Sequence, residues 1–297
     1  MKPFGYAAPA SVDEAVTLLS GRGGSARPFA GGTDLLVQLR LGRRELDLLV
    51  DVKKIPELAK IRYVAAHGLT IGAGVSCAVL CEHPEALTHY PGLVDAAGWI
   101  GGKAIQGRAT LGGNLCNAAP SADSIPALIV LDAVVEIAGP AGRRTVPVRS
   151  FCTAPGQTIL GPGELVISLY LPAPQPLTGA SYLRFIPRGE MDIAVAGAGA
   201  WVKLSEDRSR IIDARIALSA VAPTPLYVEE AGASLVGKAP TEAVHAEAAM
   251  LAQAAAKPID DVRGTAAQRR HLVGVLTKRA LRGAVERAMA ALGGEEA

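Results

Sequence analysis

The sequence predicts an α+β protein in two parts, and three observations carry that expectation. The first 175 or so of its 297 residues set short apolar segments around two Gly-Gly turns without regular β-α-β alternation. Pro172, Pro174 and Pro176, three prolines in five residues, mark a linker. Beyond it, three strand-like segments precede two Ala-rich helical ones, the ingredients of an α+β layer.

The elements follow in order. Ser11-Val12-Asp13-Glu14 is a capping box, and Val12, Ala15, Val16 and Leu19 repeat at helical spacing up to Gly21. Residues 26–30 read as a short strand running into Ala30-Gly31-Gly32-Thr33-Asp34. Residues 33–39 read as a helix opening directly on that turn. Residues 48–52 and 68–74 are short buried strands. Residues 90–105 are helical in pattern and end before Gln106-Gly107-Arg108, which lead into a second turn, Thr110-Leu111-Gly112-Gly113-Asn114. A helix over 125–131 tolerates Pro126 in its first turn. Strands are expected at 133–138 and 165–171. After the linker they are expected at 180–186, 193–204 and 210–221, the last two separated by Ser205-Glu206-Asp207-Arg208. Helices over 241–256 and 265–291 close the chain.

The two Gly-Gly turns hold the most information. Glycine lets the backbone enter φ > 0 and lets a ligand lie directly on peptide N–H groups. The flanking Thr, Asn and Asp add short side chains that donate or cap. Two such turns about eighty residues apart can form the walls of one diphosphate site, so a dinucleotide is the leading ligand. Gly72-Ala73-Gly74 mimics the start of a nicotinamide-dinucleotide fingerprint, but the third glycine and the following strand-borne acid are missing. A strand ending at a tight turn explains it better.

Composition narrows the classes. Thirty basic residues against 28 acidic leave a net charge of +2, which predicts no nucleic-acid footprint. No eighteen apolar residues run together, and Met1 to Tyr6 begins no secretory signal. Arg43-Arg44 lies too far in for a twin-arginine signal, and a cytoplasmic location is expected. Cys77 and Cys81 have helical spacing, but no further ligands stand at metal-binding distance, and the four-thiolate run of an iron–sulfur cluster is missing. Cys77, Cys81, Cys116 and Cys152 are read as packed thiols, with Cys116 close enough to the second turn to touch a ligand. No metal site and no catalytic side chain is expected.

Residues 28–37 (Pro-Phe-Ala-Gly-Gly-Thr-Asp-Leu-Leu-Val) and 110–131 resemble the two flavin loops of molybdenum hydroxylases. The match is to the separate FAD-binding medium subunit, as in aerobic carbon monoxide dehydrogenase, with a similar module inside xanthine dehydrogenase. It extends to Arg188-Gly-Glu-Met-Asp192-Ile-Ala and covers nearly the whole length. The resemblance implies a two-part FAD-binding domain of the p-cresol methylhydroxylase/vanillyl-alcohol oxidase type over 1–175, split at about residue 55. It implies a C-terminal domain of the carbon monoxide dehydrogenase flavoprotein type over 176–297, with a three-stranded antiparallel sheet and helices.

Roles carry over residue by residue. Pro28, Phe29, Ala30, Gly31, Gly32, Thr33, Asp34 and Leu35 correspond to the loop that wraps the FAD pyrophosphate. Thr110, Leu111, Gly112, Gly113 and Asn114 correspond to the loop closing on the diphosphate and ribityl chain. Asp123 stands in the place of an acid that binds FAD hydroxyls, and capping of the helix at Ile125 is a compatible second reading. Ile100 stands near the flavin where relatives often carry an aromatic residue. Val166 matches an apolar position beside the adenine, and Ile193 a residue over one flavin face. Arg184 matches a basic residue near the isoalloxazine, or is a solvated strand end. Backbone amides would meet most of the diphosphate charge, so few Lys or Arg are required.

The implied function is electron transfer by non-covalently bound FAD. Partners would be a large molybdenum-cofactor subunit and a small [2Fe–2S] subunit, as a dimer of heterotrimers in the cytoplasm or at the inner face of the membrane. The final acceptor would be NAD, dioxygen, a quinone or another oxidant. Two other readings are a stand-alone flavin oxidoreductase of the same fold, which would bring its own catalytic side chains, and a non-catalytic interaction subunit. His67, His83, His89, His245 and His271 group with no motif.

Overall fold

The structure, a computed structural model, describes residues 2–22 and 24–290. Met1 and the predicted last helical residue, Ala291, lie outside the described residues.

The chain begins with β1 (Gly5–Ala7), α1 (Val12–Ser20), β2 (Ala26–Phe29), α2 (Leu35–Arg40) and β3 (Leu48–Asp51). The capping box forms, with Ser11 accepting from the Glu14 N–H. The three strands make a small parallel sheet in the order β1-β3-β2. Regular β-α-β alternation is not sustained through the first 175 residues, but a short stretch of it opens the chain. It is present in the first fifty residues, hidden because β1 is three residues long and Tyr6 is 61% exposed. Tyr6 is tied down at its tip, where its hydroxyl donates to Asp51 Oδ2 at 2.6 Å.

A second sheet, entirely antiparallel, runs β4-β5-β10-β6-β7. Its members are β4 (Ile61–Val64), β5 (Gly68–Gly72), β6 (Val134–Gly139), β7 (Gly142–Pro147) and β10 (Leu165–Pro172), and a β8–β9 hairpin (Cys152–Ala154, Gln157–Thr158) precedes β10. Strand β7 escapes apolar patterning because it is an exposed edge strand, Gly-Arg-Arg-Thr-Val-Pro. Its Arg143 is paired with Glu57 and Glu136, and its Arg144 with Glu164.

Six helices fill the crossover between β5 and β6: α3 (Cys77–Cys81), α4 (Pro84–His89), α5 (Pro91–Gly98), α6 (Lys103–Gln106), α7 (Leu111–Asn117) and α8 (Ser124–Val130). The single helix predicted over 90–105 is therefore two, interrupted where Gly101 takes φ +65°.

The C-terminal part is a meander of β11 (Thr178–Phe185), β12 (Ala196–Leu204), β13 (Ile211–Ser219) and β14 (Leu226–Tyr227) with α9 (Glu229–Ala233), α10 (Glu242–Ala255) and α11 (Ala266–Ala290). Strand β14 adds two residues of edge pairing to the three strands the sequence predicts. Strand β12 starts at Ala196 rather than 193, so Ile193 sits in the preceding loop, 47% exposed.

The Ala-Gly-Ala-Gly-Ala start of β12 has a packing reason. Ala196, Ala198 and Ala200 point into the core beneath the C-terminal helices, while Gly199 faces α8. A Cβ on Gly199 would stand 3.2 Å from the Pro126 backbone, so main chain lies on main chain where the two parts meet. Arg287 of α11 reinforces the junction through paired contacts to Asp95 of α5 at 2.6 and 3.0 Å.

His245 on α10 is 2% exposed, and among the described residues neither ring nitrogen has a partner. Burial lowers its pKa from the ordinary 6.5, outweighing Glu242, with Lys278 and Arg282 adding to the lowering. Its folded pKa lies below the unfolded value, so its stabilising contribution is complete above about 6.5 and is lost as pH falls through that range. Thermal melts should therefore show Tm dropping between neutral and mildly acidic pH. His245→Leu should flatten that slope, and an unchanged slope would remove His245 as its cause.

Candidate functional site

The first Gly-Gly turn leaves the end of β2 and lies directly on the backbone that precedes the second. A Cβ on Gly31 would fall 1.9 Å from the Arg108 carbonyl oxygen, so only glycine permits this approach. The two turns, far apart in sequence, therefore form one wall of a single cleft of about 520 Å³.

All eight residues from Pro28 to Leu35 line this cleft, as do Thr110, Gly112, Gly113, Asn114, Ile100, Val166 and Cys116. Leu111 does not; it is 2% exposed and packs into the core. Asp123, Arg184 and Ile193 also lie outside the lining.

Among the described residues, the amides of Gly31, Gly32, Thr33 and Asp34 have no hydrogen-bond acceptor. Helix α2 begins at Leu35, two residues later than predicted, and Asp34 makes no side-chain cap. This run of amides without acceptors lies on a cleft-lining turn on which Gly32 takes φ +75°.

The second turn is in fact the start of a helix. Thr110 is the N-cap of α7, its Oγ1 accepting from the Gly113 N–H at 2.9 Å, a signature readable as Thr-x-x-Gly. Its two glycines do different work. A Cβ on Gly112 would meet Ala73 at 2.7 Å, so this glycine serves packing. A Cβ on Gly113 would meet only Thr110 Oγ1, at 3.0 Å, and otherwise project into open space.

Polar residues that sequence reasoning missed also stand on the walls. Arg44 Nε donates to Gln38 Oε1 at 2.7 Å, and Gln38 Nε2 donates to Asn117 Oδ1 at 2.9 Å, tying the segment after α2 to α7. Arg27 lines the same cleft. No spacing rule links residues 79 positions apart, and isolated arginines read as ordinary surface.

Asp123 and Arg184, assigned separate sites in the sequence, are bonded to each other. Arg184 Nη1 donates to Asp123 Oδ2 at 2.7 Å, and the Tyr182 hydroxyl donates to Asp123 Oδ1 at 2.7 Å. Ser219 Oγ lies 3.3 Å from that hydroxyl. The Arg184 side chain is 3% exposed, which overturns the solvated-strand-end reading, and Asp123 makes no cap hydrogen bond to α8. Burial pushes the Asp123 carboxyl up to about 6 against the opposing pull of Arg184 and the Tyr182 hydrogen bond. The Arg184 guanidinium also stands 5.1 Å over the Trp99 ring, next to Ile100 of the cleft.

Burial raises Cys77 and Cys116 to about 12 and Cys152 to about 11, so all three remain thiols at neutral pH. Among the described residues no group of three or more His, Cys, Asp or Glu is placed to hold a metal, and no helix is long and apolar enough to cross a membrane.

Comparison with known proteins finds two family models along the chain. Residues 2–174 match the family model for the FAD binding domain in molybdopterin dehydrogenase, and residues 181–284 that for the CO dehydrogenase flavoprotein C-terminal domain. The chain is 35% identical over 281 residues to the carbon monoxide dehydrogenase medium chain of Hydrogenophaga pseudoflava, covering 95% of this chain and 96% of that one. It is 33% identical over 295 residues to a putative xanthine dehydrogenase FAD-binding subunit of Escherichia coli, covering 98% and 97%. Among solved structures, it is similar to a chain of the Cu,Mo-CO dehydrogenase (TM-score 0.91, 33% identity, 97% and 100% covered). It is also similar to a chain of quinoline 2-oxidoreductase from Pseudomonas putida (TM-score 0.90, 31% identity, 97% and 100% covered).

Proposed function

Because the chain belongs to the FAD-binding medium subunits of molybdenum hydroxylases, we propose that it is the electron-transfer subunit of such a complex. In this reading it takes electrons from [2Fe–2S] clusters on a small partner subunit, while a large subunit carries the molybdenum cofactor. It passes them to an external acceptor. The observation that supports this most is the contact of Gly31 with the Arg108 backbone, which joins two amide-bearing glycine turns into one cleft.

The residues present fit FAD. Unpaired amides from Gly31 to Asp34 would face the diphosphate, and Gly113 leaves space for it on the opposite turn. Apolar Val166 suits the adenine end and Ile100 the flavin end. Trp99 lies beneath Arg184 and next to Ile100, which supports the reading that the buried Asp123–Arg184 pair would stand behind the flavin end. Ile193, exposed on its loop, would cover one flavin face. FAD, when bound, supplies the redox couple; the chain binds it, orients it and tunes its surroundings. Division at about residue 175, a cytoplasmic location and a dimer of heterotrimers belong to the same proposal.

The test is purification of the full chain with and without its partners. The expected outcome is a yellow protein that retains FAD, joins the complex, and turns over no organic substrate alone. Colourless protein that binds no added FAD would refute the reading. Turnover by the isolated chain would move it to the stand-alone oxidoreductases.

A further inference from the structure

The cleft carries two cations that the glycine turns do not explain. Arg27 on β2 and Arg44 after α2 both line it. Among the described residues, neither has a carboxylate within ion-pair distance. Partial burial, and after it the neighbouring Arg44 charge, lowers the pKa of Arg27. Two guanidiniums repelling each other in one cleft favour an anion between them.

Arg44 is also held in place. Its Nε is committed to Gln38, and Gln38 is committed to Asn117 on the helix whose first turn contains Gly113, leaving the terminal amines of Arg44 free of that chain. The other charged groups of the lining are Asp34 and Glu164. Glu164 is paired with Arg144 and with the Gly161 amide, so it does not neutralise the pair.

We propose that Arg27 and Arg44 clamp the diphosphate bridge of FAD, with Gln38 and Asn117 as positioning residues. The clamp makes retention depend on the charge of the bridge and discriminates FAD against flavins that lack it. This rests on the FAD reading above and adds two side-chain cations to the backbone amides expected to meet most of the diphosphate charge.

The experiment titrates the cofactor-stripped full chain with FAD and with riboflavin, following flavin fluorescence at several salt concentrations. Arg27→Gln combined with Arg44→Gln should weaken FAD binding at least about tenfold, flatten its salt dependence, and leave riboflavin binding unchanged. Gln38→Leu should weaken FAD binding while keeping the wild-type salt slope, because the charge stays and its placement is lost. Equal salt slopes for the wild type and the double variant overturn the proposal, whatever riboflavin does. An equal loss for FAD and riboflavin overturns it too. A wild-type chain that binds no FAD removes the function proposed above and this clamp with it, a result distinct from failure of the clamp alone.

Discussion

A chain carrying Gly113→Val folds and no longer retains FAD. Position 113 has no positive φ, and a Cβ there meets only Thr110 Oγ1, so the helix accepts a side chain. The valine methyl groups then occupy the space on the cleft side. An over-packed wall of this kind costs about 3 kcal/mol of binding, or roughly a hundredfold in Kd. Disturbing the Thr110 cap costs about 1 kcal/mol of stability. The ratio of flavin absorbance to protein after desalting checks the first quantity, and a melt of the apoprotein checks the second. Gly112→Val is the contrast, since its side chain enters Ala73 and destabilises the fold itself. An unchanged flavin ratio in Gly113→Val would mean that the cofactor does not pass this turn.

The second large effect concerns Asp123. Alanine there leaves the Arg184 cation buried without a counter-charge and takes the partner from the Tyr182 hydroxyl. Breaking a buried pair from one side costs about 3–5 kcal/mol, which lowers Tm by about 10 °C in a chain of this size. Pairing Asp123→Leu with Arg184→Met should recover most of that loss, because both charges leave together. Melts of the cofactor-free variants decide the matter. An unaltered apoprotein Tm combined with weaker FAD binding would return Asp123 to direct contact with the cofactor hydroxyls.

The parts of the fold legible in the sequence were those with a local cause. The capping box at Ser11, the strands β5 and β10, the long terminal helices and both glycine turns each announce themselves within a few residues. Strands β1, β4 and β14 are two to four residues long and partly exposed, so their apolar pattern is too brief to register. The break at Gly101 was written in the glycines at 98, 101 and 102, which the helical pattern of the flanking residues outweighed. The glycine turns of the cleft were legible from their own residues, whereas the Asp123–Arg184 pair outside it and the Arg44–Gln38–Asn117 chain on its wall join residues whose separation carries no sequence signal. Thr110 was visible as a turn residue, yet its spacing to Gly113 already spelled a helix cap.

The glycine face of β12 has a mechanical consequence. Where peptide planes rest against each other at Gly199 and Pro126, no rotamer exists that could swing aside, so the lobes resist rocking. A single methyl group at residue 199 would stand 3.2 Å from the Pro126 carbonyl, so the seam itself would have to give by a few tenths of an ångström.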